Sequence, residues 1–114
     1  MDLHAAYRDG VLVLQPQGRI NHLNAEAFEA ALAAQQAVQA GRLLIDLSQL
    51  EYISSAGLRI LMLLSKKIVA GGGRLATAAP TPVVREILEI SRFNLIFRIH
   101  PTVDAAIAAF AAGE

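Results

Sequence analysis

Short apolar runs alternate along the chain with longer segments in which apolar residues return every three or four positions. Short apolar runs bounded by turn residues are typical of buried strands, and the longer period is typical of amphipathic helices. The pattern predicts strands at residues 3–8, 11–15, 43–47, 74–78 and 95–99. It also predicts about four helices, which begin near Asn24, Ser55, Thr81 and Thr102, and the first three of these end near Gly41, Ala70 and Ser91.

Turn residues separate these predicted elements. Asp9-Gly10 lies between the first two strands, and this dipeptide is a strong signal for a tight hairpin. The three glycines at 71–73 follow a predicted helix and precede a strand. A phosphate-binding loop has the opposite order, from a strand into a helix, so we interpret these glycines as a helix C-cap.

Three of the predicted helices begin after residues that commonly cap helix N-termini. Asn24 and Thr102 carry side-chain oxygens that can accept a free N–H group of the first turn. Thr81 is followed by Pro82, and proline is favoured at the first helical position. We therefore expect these helices to begin directly after Asn24, Thr81 and Thr102.

From the second strand onward, the predicted order is strand then helix, repeated along the chain. Such units cross over with one handedness and produce a parallel sheet covered by helices. The expected fold is therefore α/β, with a mainly parallel sheet, an antiparallel edge strand at the start and about four helices. A length of 114 residues with 54% apolar residues suits a single domain over residues 1–114 that needs no disulfide bonds.

Charge and composition narrow the function classes. Ten basic and ten acidic residues give no net charge, which argues against nucleic acid or an anionic membrane surface as the partner. There are no cysteines, so a thiol nucleophile and thiolate metal ligands are excluded. The start of the chain lacks the pattern of a secretory signal, and its apolar runs are short for a membrane span. We expect a cytoplasmic protein without membrane insertion.

Candidate chemistry gathers where the predicted strands end. The carboxyl ends of parallel strands meet at one edge of a sheet, so Asn21 and His22 should lie beside the loop that holds Ser54 and Ser55. A helix N-terminus has free N–H groups and a partial positive charge, which would stabilise a phosphoserine. Serine is also a common N-cap, and capping alone could explain one of the two hydroxyls.

Gly57 and Arg59 follow within the first turns of the same predicted helix. Glycine costs about 1 kcal/mol relative to alanine in a helix, so its presence needs a reason. Gly57 could allow the close approach of a partner or a phosphate, or it could pack tightly against its own sheet. Arg59 lies one turn after Ser55 and could contact a partner carboxylate or a phosphate, or be solvated.

No catalytic or metal-binding group emerges from the remaining polar residues. His4, His22 and His100 are scattered over different predicted elements, and no residues of the kind that bind metals cluster with them. None of them accompanies a recognisable nucleophile or an acidic residue that would orient it. We therefore expect no enzyme activity, no metal site and no cofactor.

The segment from the strand at 43–47 into the helix after Ser55 resembles the signature of the STAS domain of bacterial anti-sigma factor antagonists. In that family, an apolar strand and a short loop lead into Asp-Ser-Ser-Gly-Leu at a helix start. Here the same register reads Ser54-Ser55-Ala56-Gly57-Leu58. Ser55 thus occupies the position of the family's phosphorylated serine.

Two further segments extend the resemblance over essentially the whole chain. Residues 18–21 are similar to the family's Gly-x-Leu/Ile-Asp segment at the end of the second strand, and Gly72-Gly73 resembles the glycines before a later strand. The resemblance implies the STAS fold, an α/β fold with a mainly parallel sheet.

The resemblance also implies a partner-switching regulator. The unphosphorylated protein would bind an anti-sigma factor that is also a serine kinase, and phosphorylation of Ser55, with Ser54 as second choice, would end that binding. A metal-dependent serine phosphatase would restore the free form, and the ATP and metal ions would belong to these partners. The residues expected to bind the partner are Asn21, His22, Asn24, Ser54, Ala56, Gly57 and Arg59.

Three positions depart from the family pattern. Ser54 and Asn21 stand where the family has aspartates, and Ala56 replaces a second hydroxyl residue. Losing two nearby negative charges should make a phosphate easier to hold, although it could also remove contacts that a kinase recognises. An alternative function is consistent with the same fold. The chain would then be a STAS partner subunit of a lipid-transport ABC system, which would use the same surface for docking without phosphorylation.

Overall fold

The structure is a computed structural model that describes residues 1–113. The strands are β1 (Leu3–Arg8), β2 (Val11–Pro16), β3 (Gly18–Ile20), β4 (Arg42–Asp46), β5 (Leu50–Ile53), β6 (Arg74–Ala78) and β7 (Arg98–His100). The helices are α1 (Ala25–Ala34), α2 (Ser55–Ala70), α3 (Pro82–Ile90) and α4 (Val103–Ala111), and there are 3₁₀ turns at Ala37–Ala40 and Phe93–Leu95.

Five of the strands form one sheet in the order β1-β2-β4-β6-β7. Only the β1–β2 pair is antiparallel, and β2, β4, β6 and β7 run parallel to one another. The predicted α/β fold, with a mainly parallel sheet and an antiparallel edge strand, is therefore confirmed. The hairpin between β1 and β2 turns at Asp9 and Gly10, which both have the positive φ angles of a type I′ turn, 52° and 78°.

The helices cover the two faces of the sheet unequally. One face carries α1, α2 and α3 over a core that includes Leu14, Leu43, Ile45, Leu61 and Leu88. The other face carries α4, whose Ile107 and Phe110 pack with Val11, Leu44 and Ala76. The edge strand β1 is the least covered, and five of its six residues are exposed.

Two predicted boundaries are wrong. The first helix ends at Ala34 rather than near Gly41, because Gln36 adopts a left-handed conformation (φ 53°) and the chain continues as a 3₁₀ turn. The strand predicted at 95–99 is shorter and later, at Arg98–His100. Phe93 and Phe97 are both buried, with ring centroids 5.7 Å apart. The chain forms a 3₁₀ turn at Phe93–Leu95 and becomes extended only at Arg98.

Two short strands were not predicted. The sequence pattern predicts a loop between the strand at 43–47 and the helix after Ser55, but Leu50–Ile53 within it is β5, which pairs in parallel with β3. The β3–β5 pair is a separate two-stranded sheet. In the chain, β3 follows β2 and β5 follows β4, and both short strands lead directly into the candidate site.

Candidate functional site

The ends of β3 and β5 bring two distant segments together. Ile20 pairs with Ile53, and the Ser54 N–H group donates to the Ile20 carbonyl over 2.8 Å. The chain leaves β3 at Asn21 and leaves β5 at Ser54, so the loop at 21–24 lies beside the start of α2. The structure thus brings together the two segments that the sequence predicted to be neighbours.

The two serines occupy different positions at the start of α2. Ser54 is the N-cap residue, and its Oγ accepts a hydrogen bond from the Gly57 N–H group over 3.3 Å. Ser55 is the first helical residue and is exposed. Within residues 1–113 its hydroxyl makes no hydrogen bond. One serine therefore serves as the cap, and the other presents its hydroxyl to the surroundings.

Gly57 faces inward, towards the β3–β5 pair. A Cβ atom at this position would lie 2.7 Å from Ile20 Cγ2 and 2.8 Å from Ile53 Cγ1, far inside van der Waals contact. Both isoleucines are buried, so neither can move away easily. This geometry supports the second interpretation, that Gly57 packs tightly against its own sheet, and a contact of Gly57 with a partner stays a prediction.

The loop at 21–24 is closed by its two asparagines. Asn21 Oδ1 accepts the N–H groups of Leu23 (2.9 Å) and Asn24 (3.1 Å). Asn24 Oδ1 accepts the Asn21 N–H group at 2.8 Å, and its Nδ2 donates to the Arg19 carbonyl at 2.8 Å. Asn24 does precede α1, but its side chain makes no capping hydrogen bond, so its predicted capping role is wrong.

These asparagines hold the loop so that its middle residues project outward. His22 is exposed and Leu23 is 82% exposed. Leu23 is not among the site residues predicted from the sequence. The signal that could have indicated Leu23 is a single apolar residue in a polar loop, between His22 and Asn24. Such a residue has no apolar neighbours in the sequence with which to form a core, so it tends to stay exposed.

A cleft of about 500 Å³ runs from Ser55 along α2 towards the segment after α3. Its lining comprises Ser55, Leu58, Arg59, Met62, Leu63, Ser91 and Phe93. Ser91 and Phe93 were not predicted, because nothing in the sequence indicates that the end of α3 reaches the start of α2. Arg59 is exposed, and within residues 1–113 it forms no ion pair.

A family model described as STAS domain matches residues 3–106. The chain belongs to the STAS domain family. BtrV of Bordetella bronchiseptica, a candidate anti-sigma factor antagonist, is 45% identical to this STAS domain over 102 residues, which are 90% of the chain and 88% of BtrV. The anti-sigma-F factor antagonist RsfB of Mycobacterium tuberculosis is 32% identical over 109 residues, covering 96% of the chain and 88% of RsfB.

Solved structures agree with these relatives. The crystal structure of an anti-sigma factor antagonist from Mycobacterium paratuberculosis superposes on the STAS domain with a TM-score of 0.86 at 30% identity, over 95% of this chain and 92% of that one. The predicted resemblance to anti-sigma factor antagonists is therefore confirmed. The roles of the individual site residues stay predictions.

Two further features of this STAS domain concern metal binding and membrane spans. Among residues 1–113, no three His, Cys, Asp or Glu side chains are grouped so as to hold a metal ion. Over the same residues, no helix has the length and apolar character needed to cross a bilayer. The cleft beside Ser55 combines apolar walls with a single free cation, which suits a protein surface better than a small polar substrate.

Proposed function

We propose that this STAS domain is an anti-sigma factor antagonist whose free form binds an anti-sigma factor with serine kinase activity, and that phosphorylation of Ser55 ends this binding. The observation that carries the proposal is the contrast between the two serines. Ser54 Oγ is engaged by the Gly57 N–H group, whereas the Ser55 hydroxyl is exposed at the first position of α2. A kinase needs a hydroxyl that can enter its active site, and Ser55 meets that need.

The surroundings of Ser55 favour a phosphate in the folded chain. The start of a helix carries a partial positive charge, and no acidic residue lies in the first turn of α2. Arg59 is one turn further on and has no carboxylate partner within residues 1–113. The replacement of the family's aspartates by Ser54 and Asn21 removes repulsion that the phosphate would otherwise meet.

The same phosphate would disfavour a bound partner. It adds a charge of about −1.5 to −2 at neutral pH. Leu58, Met62 and Phe93 line the cleft beside Ser55, so a partner seated there would bury apolar surface around the phosphate. Burying a charge without a matched counter-charge is costly, and the partner's affinity should fall.

The partner surface that we propose extends from the loop at 21–24 to the first turns of α2. His22 and Leu23 project from the loop, Ser55 and Arg59 are exposed on the helix, and Ala56 is half-buried between them and the core. Asn21, Asn24 and Ser54 would act indirectly, because their side chains hold the loop and the helix start in place. A metal-dependent serine phosphatase would reach the phosphate at the same exposed position and return the regulator to its free form in the cytoplasm.

Phosphorylation by the cognate kinase with ATP tests the acceptor. Wild type and Ser54→Ala should be labelled, and Ser55→Ala should not, with phosphopeptide mapping of the segment around both serines as the readout. Calorimetry should then find weaker binding of the kinase to phosphorylated wild type than to the unphosphorylated form. Label that persists in Ser55→Ala and is lost in Ser54→Ala would transfer the role to Ser54.

A pull-down from the native cell separates this function from the alternative. Recovery of a kinase or phosphatase together with a phosphorylated Ser55 peptide supports partner switching. Recovery of an ATPase and a permease, without phosphate on either serine, would instead support a docking subunit of a lipid-transport ABC system.

A further inference from the structure

The free edge of β1 is the most exposed strand edge of the sheet. β1 is the outermost strand, and no strand within residues 1–113 pairs with its outer side. Soluble proteins usually blunt such edges with a proline, a lysine, a bulge or a very short strand. β1 has six residues, contains neither proline nor lysine and pairs with β2 without a register shift. It is therefore a strand edge that remains open to pairing.

The register with β2 determines which backbone groups point outward. The Gln17 N–H group donates to the Asp2 carbonyl, and Leu3 lies opposite Pro16, which has no N–H group. Hydrogen-bonded pairs alternate along an antiparallel ladder, so every second residue from Asp2 onward bonds to β2. The backbone groups of Leu3, Ala5 and Tyr7 consequently point away from the sheet.

We propose that two copies of the chain pair through β1, antiparallel and centred on Ala5, to form one continuous sheet. With the two-fold axis at Ala5, Leu3 lies opposite Tyr7 of the second copy, and all three outward residues meet outward residues. Asp2 then lies opposite Arg8 on the other face. The dimer would thus contain two Leu3–Tyr7 pairs and two Asp2–Arg8 pairs of opposite charge, and such cross-strand pairs stabilise antiparallel strands.

Other registers match less well. Only a two-fold axis on a residue, rather than between residues, lets outward-pointing groups meet. An axis at Ala6 would place His4 opposite Arg8 and Leu3 opposite Asp9. An axis at His4 would place Asp2 opposite Ala6, so the Asp2–Arg8 pairs would be lost. The sequence of β1 therefore favours the register centred on Ala5.

The surroundings of β1 leave room for the second copy. Tyr7 is 70% exposed, so an apolar side chain is available on the face that carries α1, α2 and α3. On the other face Arg8 already contacts Asp104, but a guanidinium has five N–H donors and can bind a second carboxylate. None of the predicted site residues belongs to β1, so the pairing uses different residues from the proposed partner switch.

The association should be weak. A strand edge of six residues is smaller than the interface of about 1,200 Å² or more that stable complexes bury. We expect a dissociation constant on the order of 0.1–1 mM, which sedimentation of the full chain across a concentration series can measure.

Charge reversal tests the register. Asp2→Arg and Arg8→Glu should each lose most of the association, because each variant would face a like charge in its own dimer. An equimolar mixture should regain it, since the new Arg at position 2 then faces the new Glu at position 8. Glu29→Arg on α1 is the control for a charge change away from β1. A mixture that stays as monomeric as its two components would overturn the register.

Disulfide trapping provides a second test in a chain that has no cysteine of its own. The two Ala5 Cα atoms would be about 5.5 Å apart, within the roughly 4.4–6.8 Å that a disulfide spans. The two Ala6 residues would be diagonal neighbours roughly 7–8 Å apart. Under mild oxidation Ala5→Cys should form a covalent dimer at least tenfold faster than Ala6→Cys, with both variants folded by circular dichroism. Equal rates, or an Ala5→Cys rate no higher than that of Gln39→Cys, would overturn the proposal.

Discussion

At the residue scale, the adjacent residues Ser54 and Ser55 differ in the contacts of their hydroxyl groups. Ser54 Oγ accepts the Gly57 N–H group, one of the free donors of the helix start, and Ser55 is left exposed. A change at Ser54 should therefore alter stability, whereas a change at Ser55 should alter the binding of a partner. Stability measurements can separate the two roles without any partner protein.

We expect Ser54→Ala to lower the free energy of unfolding by about 1 kcal/mol, the usual cost of losing an N-cap. Ser54→Asp should keep the stability of wild type, because aspartate caps as well as serine and its charge suits the helix start. Ser55→Ala should stay within about 0.5 kcal/mol, since the residue is exposed and makes no described hydrogen bond. Urea denaturation of the three variants measures this. Equal losses at both positions would contradict the assignment of the cap to Ser54.

Gly57→Ala should destabilise the domain by about 1–3 kcal/mol, although alanine is the better helix former. The reason is the added Cβ, which would lie 2.7 Å from Ile20 Cγ2 in a packed core. Gly71→Ala at the other end of α2 is the matched control, because its Cβ would have ordinary contacts of 3.6 Å or more. If thermal unfolding finds the two variants alike, Gly57 is not held in place by packing.

At the element scale, the β3–β5 pair sets the position of the whole site, and α3 is joined to it. The Thr81 hydroxyl donates to the Leu50 carbonyl over 2.9 Å instead of capping its own helix. Thr81→Val should therefore cost about 1–3 kcal/mol by leaving a buried carbonyl without this donor, and Thr81→Ser should restore most of it. Chemical denaturation of the pair checks this. A Thr81→Ser variant as unstable as Thr81→Val would point to the methyl group rather than the hydroxyl.

The elements that could be predicted from the sequence are those with a long, regular pattern. The strand at 74–78 and the helix from Ser55 to Ala70 agree with β6 and α2 because each has a strong period and a turn residue at its end. β3 and β5 have three and four residues, too few for a period to emerge. The end of α1 was missed because alanine at 37 and 40 favours a helix wherever tertiary contacts allow one.

The candidate site could also be predicted only in part. The rule that parallel strands end together placed Asn21 beside Ser54, and the structure has them adjacent. The direction in which Gly57 points, and the approach of Ser91 and Phe93 to the cleft, depend on how helices pack in three dimensions. No single-sequence pattern carries that information.

At the scale of the whole molecule, a phosphate on Ser55 should leave the fold intact. The anion would sit at the favourable end of α2, away from the core of the five-stranded sheet. We expect the melting temperature of the phosphorylated chain to equal or slightly exceed that of the free chain. Amide chemical shifts should change mainly in the loop at 21–24, the first turns of α2 and the segment near Phe93. A broad loss of dispersed resonances would mean that the phosphate acts by unfolding the domain.

The antiparallel hairpin also decides how the protein can be handled in the laboratory. Because β1 runs against β2, Leu3 lies next to Pro16 at the end of the sheet from which the chain continues to β3 and the serine loop. Gly113 borders the opposite end, beside Gly41 and Gly73. A fluorophore or fusion partner attached at the carboxyl-terminal end should therefore leave the proposed partner surface free, whereas one attached at the amino-terminal end would lie beside the free edge of β1. Assays that immobilise the chain by its amino terminus should accordingly underestimate pairing through β1.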